Sequence, residues 1–315
     1  MGNEDLRLFS DADTSPEDRE CDSAAHNASG RKPPANTLND LTGTEWIKAT
    51  KSWLVCDSRR YHQNRDTELH PARYPEELVA EFLRFFTKRG GWVLDPFCGS
   101  GATLVAAMEQ SRNAVGIELS ERYATLARNR LVGLRNGCTA EVLQADAREI
   151  ASRELWTDGP VPPGDDGLPR FDFIMTSPPY WNMLRKSRGG VRSTHKERAE
   201  QGLDTDYGES EGNLGLITDY DEFVAQLGQV FEACGRLLAP RKYMVIVVQN
   251  VRVPDGYVRP LAWDIAQRVS EVPGLSFQGE RIWCQDSKKL GIWGYPTVFV
   301  PNYHHHYCLI FRRDD

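Results

Sequence analysis

The chain of 315 residues has room for one large α/β domain or two small ones, and a hydrophobic content of 40% is ample for a core. No apolar run approaches the roughly 20 residues of a membrane-spanning helix, and the first residues lack the basic-then-apolar order of a signal peptide, so a cytoplasmic location is expected. The net charge of −7 argues against a uniformly cationic nucleic-acid binder, and seven scattered cysteines with no C-x-x-C pair argue against a disulfide framework or a zinc site.

Residues 1–40 carry nine acidic and four basic side chains, so most of the negative charge sits there. This stretch is rich in Ser, Asn, Pro, Ala and Asp and has no periodicity, and it is expected to be a disordered acidic tail. Residues 41–315 are nearly neutral and are expected to form the folded domain. Pro75–Arg89 reads as a helix: Pro75 suits the first turn, Glu76 and Glu77 suit its positive end, and Leu78, Val79, Phe82, Leu83 and Phe86 keep helical spacing. Gly90-Gly91 stops it. A strand at Trp92–Leu94, a helix through Ala102–Ser111, a strand at Ala114–Leu119, a helix at Glu121–Val132 and a strand at Ala140–Leu143 follow. This alternation predicts a parallel, doubly wound α/β sheet.

Thr157–Arg170, with four prolines, three glycines and three aspartates, reads as a surface loop. The apolar run Phe171–Met175 reads as a buried strand that breaks at Thr176-Ser177-Pro178-Pro179-Tyr180-Trp181. A stiff Pro-Pro corner at a strand's C-terminal end stands where open α/β sheets bind ligands. A long polar stretch then runs to about Gly215, followed by a helix at Tyr220–Leu238 and a strand at Tyr243–Val248. Thr297–Val300 and Tyr307–Arg312 are expected to close the chain as an antiparallel pair.

The turn Asp95-Pro96-Phe97-Cys98-Gly99-Ser100-Gly101 has glycines that let a ligand approach backbone, and the helix after it aims its positive end at any carboxylate there. The dinucleotide fingerprint is incomplete, because Leu104 stands at its third glycine, and the lysine of a phosphate-binding loop is missing. Glu118 ends the next strand, where an acid can bind paired ribose hydroxyls, and Asp146 ends the one after. Either acid alone reads as an ordinary helix cap. Three strand-end acids in series favour a ligand.

Taken together, the Asp95–Gly101 turn, Glu118, Asp146 and the Ser177–Tyr180 corner resemble the amino-group DNA methyltransferases, which use S-adenosylmethionine (AdoMet). The resemblance implies a doubly wound, mostly parallel α/β sheet of the Rossmann-like methyltransferase type with an antiparallel C-terminal strand. It assigns Asp95, Phe97, Gly99, Ser100, Gly101, Glu118, Leu119 and Asp146 to the cofactor. His70-Pro71-Ala72-Arg73-Tyr74-Pro75 resembles the family's tenth motif, which adds His70, Pro71 and Tyr74 at the methionine end of AdoMet.

Methyl transfer from a sulfonium is mainly a matter of positioning. An aromatic exocyclic amine is a poor nucleophile, and Ser177 Oγ with the Pro178 carbonyl would accept its N–H groups while Pro179 stiffens the corner. Tyr180 would stack on the base, which must be flipped from the duplex. Cytosine C5 chemistry is excluded by Tyr180, which stands where that reaction needs a cysteine. In the family, serine at the first motif position accompanies cytosine N4 most often and aspartate adenine N6. Ser177 therefore points to N4-methylcytosine. The cofactor motifs precede the corner here, whereas many N4 enzymes have the reverse order. Adenine N6 and an RNA base are the alternatives.

Arg185, Lys186, Arg188, Arg192, Lys196 and Arg198 follow the corner and are expected to contact DNA within a recognition insertion at about 182–218. Asn250–Arg259, Gln285–Asn302 and the residues Arg59, Arg60 and Arg65 are further candidates. His304-His305-His306 is not expected to hold a metal, since successive strand residues face opposite sides. The resemblance implies double-stranded DNA as partner, a nucleoid-associated site of action, and service either beside a cognate restriction endonuclease or as a solo methylase.

Overall fold

A computed structural model describes residues 35–56, 74–134, 136–181, 212–253, 256–288, 290–292 and 294–315. Asn36–Asp315 forms one compact unit, distinct from Met1–Ala35. The Asn39 side chain is buried and donates to the Phe85 carbonyl at 2.5 Å.

The chain runs α1 (Gly43–Ala49), β1 (Trp53–Val55), α2 (Glu76–Phe86), β2 (Trp92–Asp95), α3 (Ala102–Glu109), β3 (Asn113–Glu118), α4 (Glu121–Leu131), β4 (Ala140–Gln144) and β5 (Phe171–Thr176). It continues through α5 (Tyr220–Leu237), β6 (Leu238–Val248), the short hairpin β7 (Val251–Arg252) and β8 (Val258–Arg259), α6 (Leu261–Ser270), β9 (Leu275–Cys284) and β10 (His305–Arg313). Eight strands form one sheet in the order β1-β9-β10-β6-β5-β2-β3-β4. All pairings are parallel except those of β10, which lies antiparallel to both β6 and β9. The expected doubly wound sheet with an antiparallel C-terminal strand is therefore the observed fold.

Strand alternation supplies two cores, one on each face. Leu94, Ile174, Ile246 and Leu309 point to the side of α5 and α6, and Val93, Phe173, Val247 and Cys308 point to the side of α2 and α3. Phe86 stacks on Phe173 at 5.5 Å, a contact between large apolar groups of which each contributes about 1.5–3 kcal/mol on burial. Every residue from Ala102 to Met108 of α3 is buried, so this helix is apolar all round and packs among α2, β3 and α4. Its close seat needs glycine at Gly116: a Cβ there would stand 2.7 Å from Cys98 Sγ and 2.8 Å from Leu104 Cδ1.

One expected strand is absent. Thr297–Val300 is a turn, because the Thr297 and Val298 amides donate to the Gly294 carbonyl at 2.9 and 2.7 Å, and Pro296 and Pro301 bracket it without ladder donors. The partner of β10 is instead β9, whose Ser276, Gln278 and Glu280 give no apolar run to read. No helix among the described residues is long and apolar enough to cross a membrane.

Candidate active site

From β2 the chain moves outward through β3 and β4 and returns to β5 on the other side of β2. That reversal opens a crevice at the C-terminal strand ends. A cleft lies there. Its walls are Pro96–Ser100 after β2, Glu118 and Leu119 after β3, Ala145–Ala147 after β4, and Ser177 and Pro179 after β5. Tyr74 and Ala102 add to one side, and Gly212–Leu214 to another.

The turn after β2 is held from behind. Asp95, 1% exposed, accepts from Thr103 Oγ1 at 2.5 Å, Thr176 Oγ1 at 2.6 Å, Tyr74 OH at 3.0 Å and the Phe97 amide at 3.1 Å. Burial pushes its pKa up, and these four donors oppose the shift. Asp95 was expected at the cofactor, yet it does not line the cleft: its acceptors tie β2 to α3, to the end of β5 and to Tyr74, two residues before α2. Thr103 and Thr176 complete this knot, and sequence reading missed both. Gly101 also sits off the cleft, as the left-handed cap of α3 at φ 81°.

Glu118 faces the cleft. One carboxylate oxygen accepts from the Gly99 amide and the other from the Ser120 amide, each at 2.9 Å. Burial raises its pKa to about 6 against those backbone bonds. Each oxygen keeps a second lone pair for a ligand hydroxyl. Asp146 also faces the cleft, and it caps a short turn: its Oδ1 accepts from the Arg148 amide at 2.9 Å, and the Arg148 guanidinium reaches both oxygens. Asp146 thus caps locally as well as lining the cleft, while Glu118 ties the turn after β2 to the end of β3. Ser100 Oγ is buried on the same wall and has no hydrogen-bond partner among the described residues. An orphaned hydroxyl there, beside two carboxylates and apolar walls, fits a ligand with a polar head and paired hydroxyls, as AdoMet has. Cys98 also lines the cleft, and burial, then Glu118 and Asp95, push its thiol pKa well up, so it stays protonated.

The corner after β5 closes the far wall. Ser177 Oγ lies 3.0 Å from Tyr180 OH, which donates to the Val247 carbonyl at 3.3 Å. Ser177 and Pro179 line the cleft, while Pro178 and Tyr180 are buried behind it. The Tyr180 ring centroid is 6.2 Å from His306, and His306 stacks on Trp283 at 4.5 Å. His305 Nε2 lies 3.3 Å from the Tyr307 hydroxyl.

Tyr74, Phe97, Gly99, Ser100, Glu118, Leu119, Asp146, Ser177 and Pro179 are brought together in one cleft. His70, Pro71, Arg185, Lys186, Arg188, Arg192, Lys196 and Arg198 lie outside the described residues. Gly212–Leu214, in the stretch expected to read DNA, lines the cleft near Asp146. Nothing in a local motif announces it, because the position depends on where the chain re-enters the sheet.

Residues 19–129 match the family model for N6/N4 methyltransferases, described as DNA methylase. The chain is 36% identical over 89 residues to Type II methyltransferase M.BglI of Bacillus subtilis, covering 28% of this chain and 24% of that protein. It is 42% identical over 82 residues to Type II methyltransferase M.SmaI of Serratia marcescens, covering 25% and 28%. The matches thus span about a quarter of the length of these relatives. Among solved structures, TrmN from Thermus thermophilus is similar over 76% of this chain and 48% of its own, at 15% identity and a TM-score of 0.41. The sequence matches bear out the resemblance to the amino-group DNA methyltransferases.

Proposed function

We propose that this chain, whose matched segments are those of an amino-group DNA methyltransferase with AdoMet as cofactor, methylates the N4 amino group of a flipped-out cytosine in duplex DNA. The observation that carries the reading is one cleft whose walls hold Ser100, Glu118 and Asp146 at one side and Ser177 at the other. When bound, AdoMet supplies a methyl group on a positively charged sulfur. Glu118 would accept from the ribose hydroxyls, Asp146 from the adenine amino group, and Ser100 Oγ from or to the polar head. Tyr74, fixed by Asp95 and Thr103, walls the methionine side.

Ser177 Oγ accepts one N–H of the target amine, and the Pro178 carbonyl the other, drawing the nitrogen toward tetrahedral geometry. Tyr180 holds Ser177 Oγ through its hydroxyl, which ties the corner to β6. Stacking on Tyr180 asks that its buried ring become accessible when the base arrives. The protein's contribution is positioning, and no cysteine nucleophile takes part.

The test is mass spectrometry of nucleosides from unmethylated bacterial DNA incubated with the purified chain and AdoMet. N4-methylcytosine supports the reading. N6-methyladenine alone moves the target while keeping the site, and methylated RNA with unmodified DNA overturns the choice of substrate.

A further inference from the structure

The sheet edge that carries the Ser177 corner also carries a hydrogen-bonded finger between β9 and β10, described at residues 285–288, 290–292 and 294–304. The Gln285 amide donates to the His304 carbonyl at 2.7 Å and Lys288 Nζ to the Tyr303 carbonyl at 2.8 Å. Higher up, Gly291 and Asn302 exchange two hydrogen bonds of 2.9 Å between backbone and side chain. The Gly294 carbonyl accepts from the Thr297 and Val298 amides to fold the tip. This scaffold presents apolar side chains outward: Leu290, Ile292, Tyr295 and Phe299 are 78%, 87%, 82% and 85% exposed. Four such exposed hydrophobes within ten residues of one loop mark a binding surface, since single exposed hydrophobes need no explanation but several on one loop do.

Its position selects the partner. His306, the second residue of β10, lies 6.2 Å from the Tyr180 ring, so the finger's root adjoins the acceptor corner. The β7–β8 hairpin leaves the same edge after β6, and Trp263 at the start of α6 packs on Tyr307 of β10 at 5.2 Å. Residues 250–260 and 285–304 carry four Lys or Arg against two Asp, a positive excess in a chain of net charge −7. Apolar tips flanked by cations suit a duplex whose phosphates lie outside and whose stacked bases lie within.

We propose that the 290–299 finger is a duplex wedge, whose Ile292, Tyr295 and Phe299 enter the base stack beside the target and occupy space that the extruded base leaves. Extrusion breaks stacking and pairing, and an apolar group inserted into the gap offsets part of that cost. The inference rests on the proposed DNA reading and specifies which element holds the flipped state. None of the finger's described residues lines the cofactor cleft, so AdoMet binding should not depend on it.

The experiment compares the purified full chain with an Ile292→Ser, Tyr295→Ser, Phe299→Ser variant, after equal melting temperature and equal AdoMet binding are established. The substrates are two oligonucleotide duplexes carrying the mapped methylation site, one normally paired and one with an abasic site opposite the target base. The expected result is at least a tenfold loss of methylation rate on the paired duplex and a change within twofold on the abasic one, where pairing no longer resists extrusion. Equal losses on both duplexes overturn the wedge alone and make the finger a general binding contact. Unchanged rates on both overturn it too and leave the surface to a protein partner. A wild-type chain that methylates neither duplex overturns the proposed function, and the wedge falls with it.

Discussion

Glu118 has a carboxylate that burial disfavours and two backbone amides that retain it, with its pKa raised to about 6. A ligand offering paired hydroxyls uses the remaining lone pairs, and that use requires the ionised form. Glu118→Ala is expected to weaken AdoMet at least tenfold by isothermal titration, roughly 1.4 kcal/mol, without a large change in melting temperature. Wild-type affinity is expected to fall as pH drops below about 6, where the carboxyl protonates. Unchanged affinity in the variant contradicts this placement of the ribose. His306 has the opposite problem. Burial first, then Lys288 and His305, depress its pKa from 6.5 to about 3. Between those values the unfolded chain binds a proton that the folded chain refuses, so its stabilising contribution is complete above pH 6.5 and is lost as pH falls toward 3. The slope is up to about 1.4 kcal/mol per pH unit for one proton. His306→Phe should flatten the urea-measured stability profile between pH 6 and 4 by about one proton, and an unaltered slope would rule this out.

Elements meet at the Asp95 knot, where one buried carboxylate joins the end of β2 to α3, β5 and Tyr74. Thr103→Val and Thr176→Val keep shape and remove one donor each, so each is expected to cost about 1.5–3 kcal/mol in urea denaturation. Losses below about 0.5 kcal/mol would mean the carboxylate needs no such donors. The strand-then-turn segments from β2 to β5 were legible because each short strand ends in its own turn chemistry: glycines after β2, acids after β3 and β4, and the Ser-Pro-Pro corner after β5. The knot was not, since Thr103 and Thr176 look like ordinary helix and strand residues until the fold brings them 2.5 and 2.6 Å from one carboxylate. β9 was hidden by its half-polar alternation, and the apolar Thr297–Val300 misled because exposed apolar residues on a finger read like a strand.

At the scale of the whole molecule, the order of strands decides where chemistry is possible. β2, β3, β4 and β5 end on one side of the sheet, and the reversal between β2 and β5 gathers their turns around a single cleft. The antiparallel β10 brings its N-terminal end to that same edge, so His306 and the finger before it stand next to the Ser177 corner. Cofactor walls, acceptor corner and finger therefore share one edge although they are far apart in sequence. The central claim is that this edge methylates a DNA amino group, and the most direct measurement is long-read sequencing of DNA from a methylation-deficient bacterial host expressing the chain, with Ser177→Ala as control. The account predicts N4-methylcytosine at a defined sequence motif and its absence, or a loss of at least about a hundredfold, in the control. DNA left unmodified by a folded, AdoMet-binding chain would contradict it.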